Sequence, residues 1–513
     1  MKIAAALLTM FAISAFAQQT APAPLSQRID VTVVNVDVTV LDRAGNAVPG
    51  LTRDDFEIYE DGVRQTITNF SAVSSEVSTP ATQPQPIVEQ PDPERQRSVV
   101  ILIDRNAFFR GAVRSRVKNA LETLLAESSE GTRWSVVTMQ DGMRTELPFT
   151  TDKEEVRSAI EAVRRGVALP KHGALPVVAE QLSLGSTFGL PDPDCPSGTC
   201  VVKAFKTGVE AAQDFSSDLN FFGAVIDTAR GLAWVPGKKA VLVVTNFVPG
   251  YASPAMGEIA IELAQLHQAM VREANVADAK IYVIDPMGVT GKFDMGNGYT
   301  ETGTSGSGTS NVGGAVWLAS LTGGMYLPGN RMDQSVRKFE TATTHYYELG
   351  YHAASDDGKY HHIDVRLKKP GRYTVNHRDG YFRLSKEAAF ERAVRTPFGI
   401  ASQKATLPIM LTIDDPQPQK NGRSVVPLLT TIPLDRATFL GSSGRLHVYV
   451  SVFTSSGRPI DFRHYVETIT EKSDARLIVS HSVTLKKGTY RLFVTVRDEL
   501  SDAVGVAAKE IGL

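Results

Sequence analysis

The stretch SVVILID, residues 98–104, decides the fold class. Five aliphatic residues run on without polar alternation and end at a carboxylate, the pattern of a strand buried on both faces of a parallel sheet. The sequence on its C-terminal side alternates helix and strand. Val113, Val117, Leu121, Leu124 and Leu125 recur at helical spacing, and WSVVT (134–138) follows as a strand, with a short edge strand near MRTELPF (143–149). Thr151 and Glu154 carry a capping-box signature ahead of a helix that buries Val156, Ile160 and Val163. A helix near 222–233 leads to the strand KAVLVVT (239–245). The next helix places Ile259, Leu263, Leu266, Met270 and Ala274 on one face and precedes the strand KIYVID (280–285). A short helix at 312–321, the strand GGMYL and a helix burying Val336 and Phe339 close the series. Residues 98–342 therefore predict an α/β doubly wound domain with a parallel sheet between two helical layers. Residues 166–218, rich in Pro and Gly, are expected to be an insertion, and the Gly/Ser/Thr tract at 288–314 a loop.

Both flanks of this domain are β-rich. On the N-terminal side, residues 28–75 contain IDVTVVNVDVTVLD and a hairpin whose turn is Asp61-Gly62. Residues 76–97 form a Pro/Gln/Ser linker. On the C-terminal side, THYYELGYH, KYHHIDVRLKK and GRYTVNHRDGYF fill residues 343–385. These two β-rich pieces are expected to pack together, which makes the α/β domain an insertion within one β unit. From residue 395 to 513, RLHVYVSVF, DARLIVSHSVTL and GTYRLFVTVRDEL read as strands of an immunoglobulin-like β-sandwich.

Composition narrows the functional classes. The chain is 42% hydrophobic and 21% charged, with 54 basic against 56 acidic residues and a formal net charge of -2. It has no lysine- or arginine-rich block, so no nucleic-acid partner is expected. Lys2, the apolar residues 3–16 and the Ala15-Phe16-Ala17 site read as a signal peptide over residues 1–17. The expectation is export to the periplasm or beyond the cell, with a mature start near Gln18. No later stretch approaches the ~20 apolar residues a spanning helix needs, and no stable membrane insertion is expected. Cys195 and Cys200 sit in PDPDCPSGTC. In an exported chain a disulfide is the expected state, with free thiols as the alternative.

The opening module NVDVTVLDRAGNAVPGLTRDDFEIYEDGVRQTI, a strand ending ILID, a strand ending VVTN and the closing YYELGYH and RDGYF blocks resemble the VWFA-related acidobacterial domain family over roughly residues 28–385. The resemblance implies a von Willebrand factor A-like core, no established enzymatic activity, and protein recognition or adhesion as the role. It also implies a magnesium-dependent adhesion site built from Asp-x-Ser-x-Ser, a loop Thr and a later Asp. Here the first motif reads Asp104-Arg105-Asn106-Ala107-Phe108, and the later position is Asn246. Asp104, Asn106 and Asn246 thus outline a degenerate metal site. Magnesium prefers near-octahedral oxygen ligands with carboxylate charge, so no cofactor is expected beyond weak magnesium.

Other motifs carry no chemistry in this reading. His345, His352, His361, His362 and His377 lie close in sequence, but adjacent His361 and His362 point to opposite faces of a strand and do not share a metal. The Gly-rich tract lacks the lysine of a phosphate-binding loop and the Gly-x-Ser-x-Gly of a nucleophile elbow. The expected function is a non-enzymatic exported protein that binds a protein partner. Recognition is assigned to Arg105, Phe108, Phe109, Phe247 and Tyr251 at the C-terminal edge of the sheet. The alternative is that the 166–218 insertion covers these aromatics. A second functional class, an envelope hydrolase whose catalytic residues are not adjacent in sequence, is the runner-up.

Overall fold

The computed structural model describes residues 33–74, 96–105, 111–139, 143–165, 209–245, 248, 258–286, 290–294, 300–304, 310–353, 359–369, 371–382, 384–420, 422–455, 457–470 and 476–513. The chain opens with β1 (Val33–Leu41), β2 (Phe56–Glu60), β3 (Val63–Gln65) and β4 (Asn69–Val73). The α/β core follows as β5 (Arg97–Asp104), α1 (Gly111–Glu127), β6 (Arg133–Met139), β7 (Met143–Thr150), α2 (Lys153–Arg165), α3 (Val209–Leu232), β8 (Lys238–Val244), α4 (Glu258–Val276) and β9 (Ala279–Asp285). A hairpin of β10 (Thr290–Asp294) and β11 (Thr300–Thr304) precedes α5 (Ser310–Leu321), β12 (Tyr326–Pro328) and α6 (Met332–Thr344).

The core sheet has six strands in the order β12-β9-β8-β5-β6-β7. All pairs are parallel except β6 with β7. Alternate residues of β5 face opposite layers. Val100 and Leu102 pack with buried residues of α3, α4 and α5, among them Phe222, Met270 and Leu318. Val99, Ile101 and Ile103 pack with α1, α2 and α6 through Leu124, Ile160 and Phe339. Burial on both sides is why β5 carries no polar alternation.

The two β-rich flanks form one two-sheet unit. After the core come β13 (Tyr346–His352), β14 (Tyr360–Leu367), β15 (Thr374–Asn376) and β16 (Gly380–Phe382). One sheet runs β15-β1-β13-β4 and the other β16-β14-β2-β3. Each sheet combines strands from before and after the core, alternating in the first and meeting at the β14–β2 pair in the second, with Val36 opposite Leu349 and Val365 opposite Ile58. Val36, Val38, Ile58, Leu349 and Tyr351 fill the space between the sheets.

Helices α7 (Lys386–Val394) and α8 (Pro397–Ala401) lead to β17 (Met410–Ile413), β18 (Gln417–Pro418), β19 (Arg423–Pro433), β20 (Ser443–Thr454), β21 (Pro459–Thr470), β22 (Arg476–Lys486), β23 (Thr489–Asp498) and β24 (Val504–Gly512). These strands make two antiparallel sheets, β21-β20-β23-β24 and a second built on β19 with β17, β18 and β22. Val426, Leu428, Val448, Val450 and Val494 belong to the core between them.

Several expectations need correction. The insertion does not reach 218, because residues 209–218 already belong to α3. That run (VEAAQDFSSD) has no Gly or Pro to stop a helix. The tract at 288–314 is not wholly a loop: its β-branched Thr290, Thr300, Thr302 and Thr304 fall in the β10–β11 ladder, and Ser310 begins α5. The cap of α2 is Asp152, whose Oδ1 accepts from the backbone N–H of Glu154 at 2.8 Å, rather than Thr151. Arg97 belongs to β5 and not to the linker. Residue 395 does not open the sandwich. It lies between two helices, whose caps are Ser385, accepting from Ala388 N–H, and Thr396, accepting from Gly399 N–H, with Pro397 at the first helical position.

A charge cluster joins α3, α4 and α7. Glu273 accepts from Arg230 at 3.2 Å and from Arg392 at 2.7 Å. Asp227 stands beside them with its carboxyl pushed up to about 6 by burial and by Glu273, against the pull of Arg230. A raised carboxyl stabilises the fold while it stays protonated. That contribution is complete below the unfolded value of 3.8 and is lost as pH rises through about 6. Asp227→Asn is therefore expected to stabilise the chain at pH 7 by about 2–3 kcal/mol and to change little at pH 4. Urea unfolding of both proteins across pH 4–7 checks this; curves displaced equally at every pH would refute it.

Candidate functional site

The strand registers set a row of residues at the C-terminal edge of the core sheet. Asp104 pairs with Met139, Ile103 with Val244, Val244 with Ile284, and Asp285 with Pro328. The residues one step beyond Ile103, Val244 and Ile284 are therefore Asp104, Thr245 and Asp285, side by side on three adjacent strands. Thr245 is 1% exposed, and its hydroxyl donates to Asp104 Oδ2 at 2.8 Å. Its backbone N–H donates to the Ile284 carbonyl at 3.1 Å. Arg116 of α1 donates to the Pro286 carbonyl at 3.3 Å and so holds the exit of β9 against that helix.

This donor set does not fit the magnesium cage implied by the family resemblance. Asp104 is the sole carboxylate of the motif, and one of its oxygens already accepts the Thr245 proton. Asp285 is two strands away, roughly 9–10 Å at ordinary strand spacing, too far to share an ion with Asp104 directly. Asp104 works here as an acceptor that fastens β5 to β8. Thr245 was not singled out from the sequence; its position beside Asp104 follows only from the parallel register.

Arg105 directly follows Asp104 and is half-buried. Asn106, Phe108, Phe109, Asn246, Phe247, Tyr251, Cys195 and Cys200 lie outside the described residues. The loops after β5, β6, β8 and β9 all leave from this edge, as parallel strand direction requires.

The opposite edge of the sheet is occupied by the β unit. Lys238 Nζ lies 2.8 Å from Asp37 and 2.6 Å from Glu348, and Lys280 Nζ lies 3.8 Å from Asp37. Both ammonium groups also stand over the Tyr346 ring, at 5.4 and 5.2 Å. Arg97 pairs with Glu340 at 2.7 Å, and Arg378 with Asp278 at 3.0 Å. Burial opposes the charge on Lys238, but Asp37 and Asp278 outweigh it and hold the ammonium protonated far above the lysine range. For Lys280, burial prevails and lowers the value. The space left among these groups is about 20 Å³, room for about one water.

His361 and His362 behave as pairing groups. His361 is 8% exposed and meets Asp61 at 2.8 Å, whereas exposed His362 meets Asp379 at 3.1 Å. Adjacent in sequence, they face opposite ways.

A family model described as "von Willebrand factor type A domain" matches residues 99–175. Among solved structures, the chain is similar to conserved hypothetical protein BatB from Bacteroides thetaiotaomicron, at 14% identity and TM-score 0.27, over 48% of this chain and 98% of that one. It is similar to a von Willebrand factor type A protein from Catenulispora acidiphila at 10% identity and TM-score 0.23, over 81% of this chain and 66% of the other. It is also similar to the manganese-loaded TRAP protein of Plasmodium vivax at 12% identity and TM-score 0.22, over 57% and 96%. The family-model match supports a von Willebrand factor A-related domain in this chain. No curated protein matches the sequence. Among the described residues no helix is long and apolar enough to cross a membrane.

Proposed function

Because the chain carries a domain related to von Willebrand factor type A, we propose that it is an exported, non-enzymatic binding protein that holds a protein partner at the C-terminal edge of its core sheet. The observation that carries this reading is the closure of the other edge. Lys238, Lys280, Arg97 and Arg378 are consumed there by ion pairs within the chain. The edge where Asp104, Arg105, Thr245 and Asp285 lie is the one at which β5, β8 and β9 end. An adhesion site that retains its metal captures a partner carboxylate through the ion. With Phe108 and Asn246 in the motif positions, this edge instead recognises its partner through Arg105 and the aromatics Phe108, Phe109, Phe247 and Tyr251.

The test uses the chain from Gln18 onward as bait against envelope and secreted proteins, with and without EDTA. The same partner is expected in both, bound about tenfold or more weakly by Arg105→Ala and by the folded Phe108→Ala/Phe247→Ala double variant. A complex abolished by EDTA, or variants that bind like the parent, would overturn the proposal.

A further inference from the structure

Outside the core sheet, three metal-ligating side chains converge where α7 lies on the C-terminal sheet. Strands β20 and β21 pair with Tyr449 opposite His464. His447 is two residues before Tyr449 and so shares its face of the sheet. Its Nδ1 stands 2.9 Å from His464 Nε2. Glu387, in the first turn of α7, brings Oε1 to 3.5 Å from His447 Nδ1 and 3.8 Å from His464 Nε2. A four-coordinate zinc with ligands at about 2.0–2.1 Å has ligand–ligand edges of roughly 3.4 Å. The three separations bracket that value.

The surroundings are those of a metal site as well. His447 Nε2 meets Glu499 Oε2 at 3.1 Å. The carboxylate fixes the tautomer with its proton on Nε2, so the Nδ1 lone pair is turned toward Glu387 and His464. The outer nitrogen of His464, Nδ1, lies 4.0 Å from Glu391. The Tyr449 ring stacks on the His464 ring at 4.3 Å and 11°, which sets the plane of the imidazole. The His447 side chain is 6% exposed and that of His464 21%, while Glu387 is 48% exposed. One side of the triangle therefore faces solvent.

We propose that Glu387, His447 and His464 bind one zinc ion, with water in the fourth position and Glu499 orienting His447. Two imidazole nitrogens and one carboxylate oxygen suit zinc, whereas magnesium and calcium call for oxygen donors throughout. The ion clamps α7 to β20 and β21. The site is independent of the partner-binding edge: it draws on other elements and a different chemistry.

The test is a titration with zinc alone of the full mature chain, stripped with EDTA and dialysed, with calorimetry for affinity and thermal unfolding as a second readout. The parent is expected to bind a zinc equivalent that His464→Ala loses, and to melt higher with zinc. Glu387→Gln, on a half-exposed helix position that leaves the fold intact, is expected to weaken that zinc about tenfold or more. Glu499→Gln is expected to weaken it roughly 10–100-fold, and exposed His362→Ala not at all. Absence of zinc binding at micromolar concentration, or affinity unchanged in either Glu387→Gln or folded His464→Ala, overturns the site. The 2.9 Å contact would then be an ordinary hydrogen bond between imidazoles.

Discussion

Asp37→Asn is expected to lower the stability of the chain by about 3–5 kcal/mol, the cost of leaving buried charge without its partner. Asp37 lies in β1 with its side chain 7% exposed, and it serves Lys238 at 2.8 Å and Lys280 at 3.8 Å. The asparagine preserves shape and removes only the charge. Both ammonium groups then remain at the seam over the Tyr346 ring, with Glu348 in direct contact with Lys238 and Asp278 acting on both from farther away. Replacing Lys238 as well tests the origin of the loss. Asp37→Asn/Lys238→Met is expected to recover about half of it, since a pair removed together costs far less than one partner removed alone. Urea unfolding of the single and double variants measures this. A single variant within about 1 kcal/mol of the parent would mean that the seam is held by its hydrogen bonds, such as Thr39 Oγ1 to the Ala342 carbonyl, and not by charge.

The second large effect is expected at the other seam, between the core and the C-terminal unit. Phe398 of α8 is fully buried and belongs to the core cluster of α3, α4 and α5, not to the sandwich that follows it in sequence. Two glycines let it in. A Cβ on Gly231 of α3 would stand 2.3 Å from the Phe398 ring, and one on Gly399 would stand 2.0 Å from the Ala393 carbonyl oxygen. In the other direction, Trp234 meets the Phe390 ring at 5.1 Å, edge to face. Phe398→Ala is expected to cost about 3–5 kcal/mol, as for a large aromatic removed from a core. Gly231→Ala is expected to cost about 1–3 kcal/mol by forcing the helices apart. Both variants should also unfold in two separated transitions and be cut by protease between residues 382 and 397. A single cooperative transition at the parent's midpoint would show that the two units do not depend on this contact.

The zinc triad and the partner edge illustrate different limits of sequence reading. Asp104 is recognisable because it ends an apolar strand in a known motif. The departures at Phe108 and Asn246 are equally visible in a line of text. His447 and His464 are not, because their spacing of seventeen residues acquires meaning only when the β20–β21 hairpin places Tyr449 opposite His464. Glu387 comes from a helix that the sequence reading assigned to no element. Its signals, Ser385 before a run of good helix formers and Pro397 after it, are local and were available.

What the sequence alone determined is the class of the core and the order of its elements. Continuous apolar strands such as SVVILID and helical stripes such as Val113, Val117 and Leu121 are periodicities, and periodicity is a local property that burial imposes on the chain. The β-rich character of both flanks is local in the same sense. Pairing is not. That Val36 of β1 meets Leu349 of β13, across more than three hundred residues, depends on the α/β core returning the chain to where it began. That Lys238 faces Asp37 and that Phe398 enters the core between two glycines depend on how finished layers dock. Side-chain geometry at those seams, and at the triad of Glu387, His447 and His464, exists only once the layers are in place. Hydrophobic patterning is written residue by residue, whereas the encounter of distant charges and ligands is a product of packing.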